Sequence, residues 1–382
     1  MSAQEQILTH ATLVLDDETI DGTLVIRDGR IAAVDQGVSQ ASGAIDCGGD
    51  ILLPGLVELH TDNMEKYFQP RPKVEWPSLQ AALAHDAQMA ASGITTVFDA
   101  VSVGDVDEQS MRHGALDEMC QTLSRIVHDG LARVDHRLHL RCEVSHPNTL
   151  ARFDALASSP LLGLVSLMDH APGQRQFASL EAYRVYYQGK YGLDDAAMEA
   201  FMKAQLDNSE RYSAMQRRAI AAACRERSLA LASHDDATVE HVAESFEYGT
   251  RVAEFPTTRE AAEASHRAGM AVMMGAPNVV RGGSHSGNIA AAELVEQGVL
   301  DILSSDYYPA ALLDAVFKVA AMETGYALPR AVATATRLPA EAVGLEDRGR
   351  LVPGLRADLL RVRVIDDHPV VQRVWSAGKQ VH

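Results

Sequence analysis

The alternation of apolar and polar positions divides the chain into three stretches. In the first fifty residues, short apolar runs between turn residues predict strands at Ala11–Leu15, Gly22–Arg27, Arg30–Val34 and Ala44–Cys47, with Asp28-Gly29 as a hairpin turn. The last thirty residues have the same texture, with runs at Gly349–Leu351, Ala357–Val364 and Val370–Trp375 and a turn at Gly378. Neither piece is long enough to make a stable sheet alone. The two ends, residues 1–53 and 345–382, are therefore expected to pair into one small β-sandwich.

The middle, residues 54–344, alternates short apolar runs with Ala-rich helical stretches, the pattern of βα units on a parallel sheet. Strand candidates are Leu56–His60, Ile94–Asp99, Leu138–Glu143, Gly163–Met168, Leu229–His234, Arg251–Phe255, Ala271–Gly275 and Asp301–Ser305. Eight strands over about 285 residues is the count and length of a (β/α)8 TIM barrel, so the fold class is α/β. Thr257-Thr-Arg-Glu260 reads as a capping box opening a helix to Arg267, with Gly269 as its stop. The longest connection, about 171–226, carries Tyr183, Tyr186, Tyr187 and Tyr191; it is a candidate lid, structural extension or oligomer contact.

Composition narrows the partners. The 382 residues are 47% hydrophobic and 23% charged, which excludes intrinsic disorder. A formal net charge of −18 repels nucleic acid and anionic lipid, so a small molecule is the expected partner, with neither nucleic acid nor membrane. Cys47, Cys120, Cys142 and Cys224 are scattered, as expected of buried, reduced thiols. Met1–Gln6 has no signal-peptide pattern and no apolar run approaches the ~18 residues of a membrane span, so a soluble cytoplasmic protein is expected.

Ionisable residues recur at the C-terminal ends of the barrel strands. His60 and Asp62 project to one side at the first, Glu143 ends the third, His170 follows the fourth, His234 ends the fifth and Asp306 follows the eighth. Glu254 lies in the sixth. In a barrel these ends share one rim, where imidazole and carboxylate donors can hold a divalent cation; each alone is more often an ordinary surface or core residue. None of the six lysines lies in a barrel strand, so a carboxylated lysine cannot bridge two ions and Glu143 is the bridging candidate, against a simple ion pair with Arg141. The run from Gly275 to Asn288 offers a second feature. Arg281, Gly282, Gly283, Ser284 and His285, before a helix beginning near Ile289, read as an anion cradle, which Lys66, Arg71 and Arg175 could extend.

The segments Gly22–Val34, Leu53-Pro-Gly-Leu-Val-Glu-Leu-His60, Gly93-Ile-Thr-Thr-Val97 and Gly349–Leu359 resemble the amidohydrolase superfamily over essentially the whole chain. His60-Thr-Asp62 departs from that superfamily's usual His-x-His. Seven ordered blocks are similar to its alkylphosphonate-utilisation branch: His60–Lys66 with Pro70-Arg-Pro72, His139–Glu143, Ser166–Gln174, Ser233-His-Asp-Asp236, Glu254–Thr258, Gly275–Asn278 with Arg281–Asn288, and Ser304–Pro309. The resemblance implies a metal-dependent hydrolase barrel with the terminal sandwich, and pyrophosphate release from a small-molecule ribosyl phosphonate triphosphate. It implies one or two divalent ions (Zn, Mn or Fe) held by His60, Asp62, Glu143, His234 and Asp306, and a possible homodimer. His170 is a further metal candidate without a counterpart in the superfamily. Asp306 is the expected general base at the reacting water. The alternatives are cleavage of a C–N bond, as in an amidohydrolase or deaminase, and a catalytically silent scaffold.

Overall fold

A computed structural model describes residues 5–71, 73–104, 112–175, 180–284 and 287–382. Eight parallel strands follow one another in sequence and in space: Leu56–Thr61, Ile94–Val103, Asp135–Glu143, Leu162–Met168, Ala230–His234, Val252–Glu254, Ala271–Gly275 and Ile302–Ser304. A parallel bridge between Thr61 and Asp306 closes the circle. Fully buried Glu58 reinforces this seam, accepting from His60 N (2.6 Å), Ser304 Oγ (2.7 Å) and Ser305 N (2.5 Å). The interior is filled by Val57, Leu59, Phe98, Leu164, Ala232, Val252, Met273 and Ile302, a packed core and no pore.

Helices follow the strands, among them Ser78–Ala91, Arg112–His128, Thr149–Leu156, Val239–Glu247, Arg259–Arg267 and Ala311–Ala321. The helix opened by the expected capping box is capped one residue later, by Thr258, whose Oγ1 accepts from Ala261 N at 3.1 Å. The long connection holds the helices Leu180–Tyr191 and Asp195–Asn208, a π-helical turn at Ser209–Ser213 and the helix Ala214–Glu226. Tyr183, Tyr187, Met198 and Met202 give the first two a buried core of their own, while Tyr186 is half exposed.

The termini form one further sheet of eight strands, in the order Lys379–Gln380, His368–Ser376, Leu359–Ile365, Ile51–Pro54, Glu5–Val14, Thr19–Arg27 and Arg30–Gln36, with Ile45–Asp46 beside Glu5–Val14. The sheet curls over a common core, so that buried Trp375 near one end packs in one cluster with Leu8, Leu24 and Ile26 from the other. Asp28 and Gly29 both have positive φ (50° and 80°), as a tight two-residue hairpin turn requires. The first strand starts at Glu5, earlier than the expected Ala11, because a bulge around His10 (φ 54°) interrupts the two-residue period. Gly349–Leu351 forms no strand; buried Leu351 instead packs into the sandwich core. Val14, Leu53, Val362 and Val374 join the barrel residues Leu56, Ile94 and Val97 in another cluster, seating the sheet against the barrel.

Candidate active site at the C-terminal rim of the barrel

The rim is built where strands end and the backbone turns. Asp235 and Phe255, each directly following a barrel strand, and Asp306, two residues past the last one, adopt left-handed φ values of 57°, 55° and 53°. Non-glycine residues are seldom found there, and such conformations concentrate at functional sites. Asp306 is fixed by the barrel seam, its carbonyl accepting from Asp62 N at 2.9 Å. Burial, with the charge of Asp62 adding to it, raises the Asp306 pKa.

Glu254 organises the histidines. Fully buried, it accepts from His60 Nδ1 through Oε1 at 2.7 Å and from His234 Nδ1 through Oε2 at 2.6 Å. The two imidazoles are stacked with centroids 5.9 Å apart, and the Phe255 ring lies 5.0 Å from His60 and 5.7 Å from His234. Burial pushes the Glu254 carboxyl up, but His60 together with the two hydrogen bonds holds it well below the usual carboxylate range. Burial pulls the His60 imidazole down, and Glu254 more than reverses this, so its pKa is raised. His139 beneath them is neutral: burial lowers its pKa to about 3, its Nδ1 donates to Leu59 O (3.0 Å), and its Nε2 accepts from Ser166 Oγ (2.9 Å).

A second group adjoins the first. Buried Glu143 accepts from His170 Nδ1 (2.7 Å) and Ser145 Oγ (2.6 Å), and Asp235 Oδ2 lies 3.4 Å from His234 Nε2 and 3.9 Å from His170 Nε2. Burial works against the ionised pair, yet each partner favours the other's charged form, lowering the Glu143 pKa and raising that of His170. Among the described residues, His170, His234 and Asp235 present three ligand atoms within 4.8 Å of one another, as do His60, His139 and Glu254. Arg141 does not pair with Glu143; it lies 3.3 Å from Asp62 Oδ1.

Beside these groups lies a cavity of about 270 Å³ whose lining includes His60, Asp62, Arg141, His234, Asp235 and Asp306 together with Gly275, Asn278, Arg281, Gly283, Ser284 and Tyr307. Of the expected metal candidates, His60, Asp62, His234 and Asp306 line it directly, while Glu143 and His170 reach it through Asp235.

The expected anion cradle needs correction. Residues 276–281 form the helix Ala276–Arg281, started by Pro277 and ended by Gly282 in the left-handed conformation (φ 82°). The next helix is Ala291–Glu296, not one from Ile289, and its entry amides are already used: Ala291 N donates to Asn278 Oδ1 (3.0 Å) and Ile289 N to Thr257 O (3.1 Å). Arg281, Gly283 and Ser284 line the cavity, Gly282 does not, and His285 is outside the described residues. Lys66 sits beside the cavity, its Nζ donating to Tyr307 O at 2.7 Å. Arg71 is exposed and does not line the cavity. Arg175 does not line it either: it is buried in ion pairs with Asp236 and with Glu244 (3.0 Å).

Asp235 and the double attachment of Glu254 escaped the sequence reading, as did His139. The His234-Asp235-Asp236 run is the one signal that could have raised Asp235, but which aspartate turns inward depends on the left-handed turn at 235, since Asp236 instead anchors Arg175.

The profile of the amidohydrolase family matches residues 87–382, beginning after the His60-Thr61-Asp62 departure. The chain is 53% identical over 376 residues to an α-D-ribose 1-methylphosphonate 5-triphosphate diphosphatase of Escherichia coli strain K12, covering 98% of this chain and all of that protein. Its fold is shared by N-acetyl-D-glucosamine-6-phosphate deacetylase from Mycobacterium smegmatis (TM-score 0.64, 20% identity, 99% of this chain and 100% of that one). N-isopropylammelide isopropylaminohydrolase from Burkholderia multivorans shares it too (TM-score 0.60, 19% identity, 99% and 98%). With its closed parallel barrel, terminal sheet and histidine-carboxylate rim, this chain belongs to the amidohydrolase family.

Proposed function

We propose that this chain is a metal-dependent phosphoanhydride hydrolase that converts α-D-ribose 1-methylphosphonate 5-triphosphate to the 5-phosphate and pyrophosphate in phosphonate catabolism. The observation that carries the reading is the full-length 53% identity to the Escherichia coli diphosphatase. Arg141 and Arg281 on the cavity wall support it, because a small neutral amide would not require two guanidinium groups. Residues 54–344 would form the catalytic unit and 1–53 with 345–382 its small sandwich.

The donor set fits one or two divalent ions. Asp235 Oδ2 is buried without a hydrogen-bond partner, facing two imidazole nitrogens, and a cation there would satisfy it. His60, His170 and His234, with Asp62, Glu143, Asp235 and Asp306, would hold the metal. Their mix of imidazole and carboxylate suits Zn, Mn or Fe. When bound, such an ion lowers the pKa of water and polarises a phosphoryl oxygen.

The chain's own groups do the rest. Asp306 accepts the proton of the attacking water, a role that its raised pKa favours. The water oxygen bonds to the phosphorus nearest the ribose, and the bridging P–O bond breaks with its electron pair leaving on pyrophosphate. Arg281, exposed at the rim with Nη1 3.5 Å from the Tyr307 hydroxyl, receives that departing charge.

The test is metal-reconstituted protein assayed for pyrophosphate against orthophosphate release from a 5-triphosphorylated ribosyl phosphonate, with nucleoside triphosphates and an N-acyl amino acid as controls. Chelator-sensitive pyrophosphate release is expected. Release of orthophosphate alone, or cleavage of the N-acyl control instead, would overturn the proposal.

A further inference from the structure

Arg141 differs from the buried arginines Arg175, Arg217 and Arg348. Arg217 is held by Asp169 (2.8 Å) and Glu244 (3.4 Å), Arg175 by Asp236 and Glu244, and Arg348 by Asp135 (2.5 Å), Asp347 (2.8 Å) and the Thr96 hydroxyl (2.8 Å). Each is fixed by two carboxylates. Arg141, near the end of the third barrel strand, has a side chain only 13% exposed, yet among the described residues its one ion pair is to Asp62 at 3.3 Å. Its Nε, like that of Arg217, is buried with no hydrogen-bond partner, so the single ion pair and the place on the cavity wall are what set Arg141 apart. A guanidinium carries five donors, and withdrawing one from water without bonding those donors is costly. Burial favours loss of its proton, but Asp62, Glu254, Glu65 and Asp306 keep it firmly charged. The side chain lines the cavity beside His60, His234 and Asp306.

We propose that Arg141 is a catalytic residue that binds a non-bridging oxygen on the phosphorus under attack, while Arg281 serves the departing pyrophosphate. This rests on the phosphoanhydride reading above. The placement supports a division of labour: Arg141 is enclosed by the strand ends, whereas Arg281 is exposed at the last turn of the Ala276–Arg281 helix. A guanidinium fork directs N–H donors at a phosphoryl oxygen, and such a bond gains strength where water is excluded. In the step, the water oxygen bonds to the α-phosphorus, the α–β bridging bond breaks toward pyrophosphate, and the water proton passes to Asp306. Arg141 exchanges no proton; it balances negative charge on the equatorial oxygens.

The experiment compares wild type, Arg141→Ala and Arg141→Lys, each reconstituted with metal, for metal content, kcat and KM of pyrophosphate release, and rescue of Arg141→Ala by added guanidinium. The expected result is full metal content in both variants, a kcat of Arg141→Ala lower by on the order of 10²-fold, and its partial recovery with guanidinium. Lysine, which keeps the charge but loses the fork, should fall between wild type and alanine. Either variant keeping kcat within threefold, or losing metal in proportion to activity, would overturn the assignment. If Arg141→Ala does not fold, the Arg141→Lys comparison decides alone. A wild-type enzyme that releases no pyrophosphate would instead defeat the phosphoanhydride reading, before any variant is compared.

Discussion

At the scale of single residues, Glu254 decides which nitrogens are available. One carboxylate accepts from Nδ1 of both His60 and His234, so both rings present Nε2 for ligation. An amide in its place can accept from one ring only and turns its NH2 toward the other. Glu254→Gln should therefore fold normally but bind the metal about 10–100-fold more weakly, as read by competition with a chelator; unchanged affinity would show that the bridge does not matter to ligation. Asp306 bears on a separate step. Asp306→Asn should retain metal and lower turnover by roughly 10²–10⁴-fold, and a metal-loaded variant with full turnover would remove Asp306 from the role of base. The residues open to sequence reading were those at strand ends, where an apolar run halts on a polar side chain. Asp235 and Arg141 were not, because a period of two cannot say how the backbone turns after a strand or whether a buried charge already has partners.

At the scale of elements, the second barrel strand runs four residues beyond the expected Asp99, to Val103, because Ala100 on one face and Val101 and Val103 on the other remain buried. Asp99 is thus an internal residue, fully buried between His85 Nε2 (2.6 Å) and His136 Nδ1 (2.7 Å), joining this strand to the third strand and to the Ser78–Ala91 helix. Burial opposes both charges, but Asp99 is held down at about 2 by His136 and His85, and His136 is raised to about 9 by Asp99 and Asp86. The lowered Asp99 contributes stability above its unfolded value of 3.8 and loses it as pH falls through about 2. The raised His136 contributes fully below 6.5 and loses this as pH rises through about 9. Urea unfolding should therefore show stability declining from neutral pH toward pH 9–10 in wild type and a smaller decline in Asp99→Asn, with the variant less stable by about 3–5 kcal/mol at neutral pH. Identical pH profiles would contradict the pair. The eight barrel strands were legible from their apolar runs, but the Ala276–Arg281 helix was not: its glycine-rich sequel reads as loop, and Pro277 marks a helix start only once the strand before it is placed.

At the scale of the whole molecule, a net charge of −18 and a highly anionic substrate look incompatible. The structure locates part of that charge in the cavity, on Asp62, Asp235 and Asp306, beside Arg141 and Arg281. A divalent cation on the carboxylates would offset their charge, leaving Arg141 and Arg281 to meet an anionic substrate within an acidic exterior. Metal should then stabilise the fold as well as the chemistry. A free ion at 100 times its dissociation constant adds about 2.7 kcal/mol, so chelation should lower the thermal midpoint and readdition restore it together with activity; a midpoint indifferent to chelator would speak against ligation by these residues. Among the described residues, no helix is long and apolar enough to cross a membrane, and the cysteines Cys47, Cys120, Cys142 and Cys224 are buried and free. In the proposed reaction water attacks the phosphorus nearest the ribose. Hydrolysis of the ribosyl phosphonate triphosphate in ¹⁸O-labelled water, with the products resolved by ³¹P NMR, tests it most directly. Label in the ribosyl 5-phosphate with unlabelled pyrophosphate is the expected result; label in the pyrophosphate would contradict it.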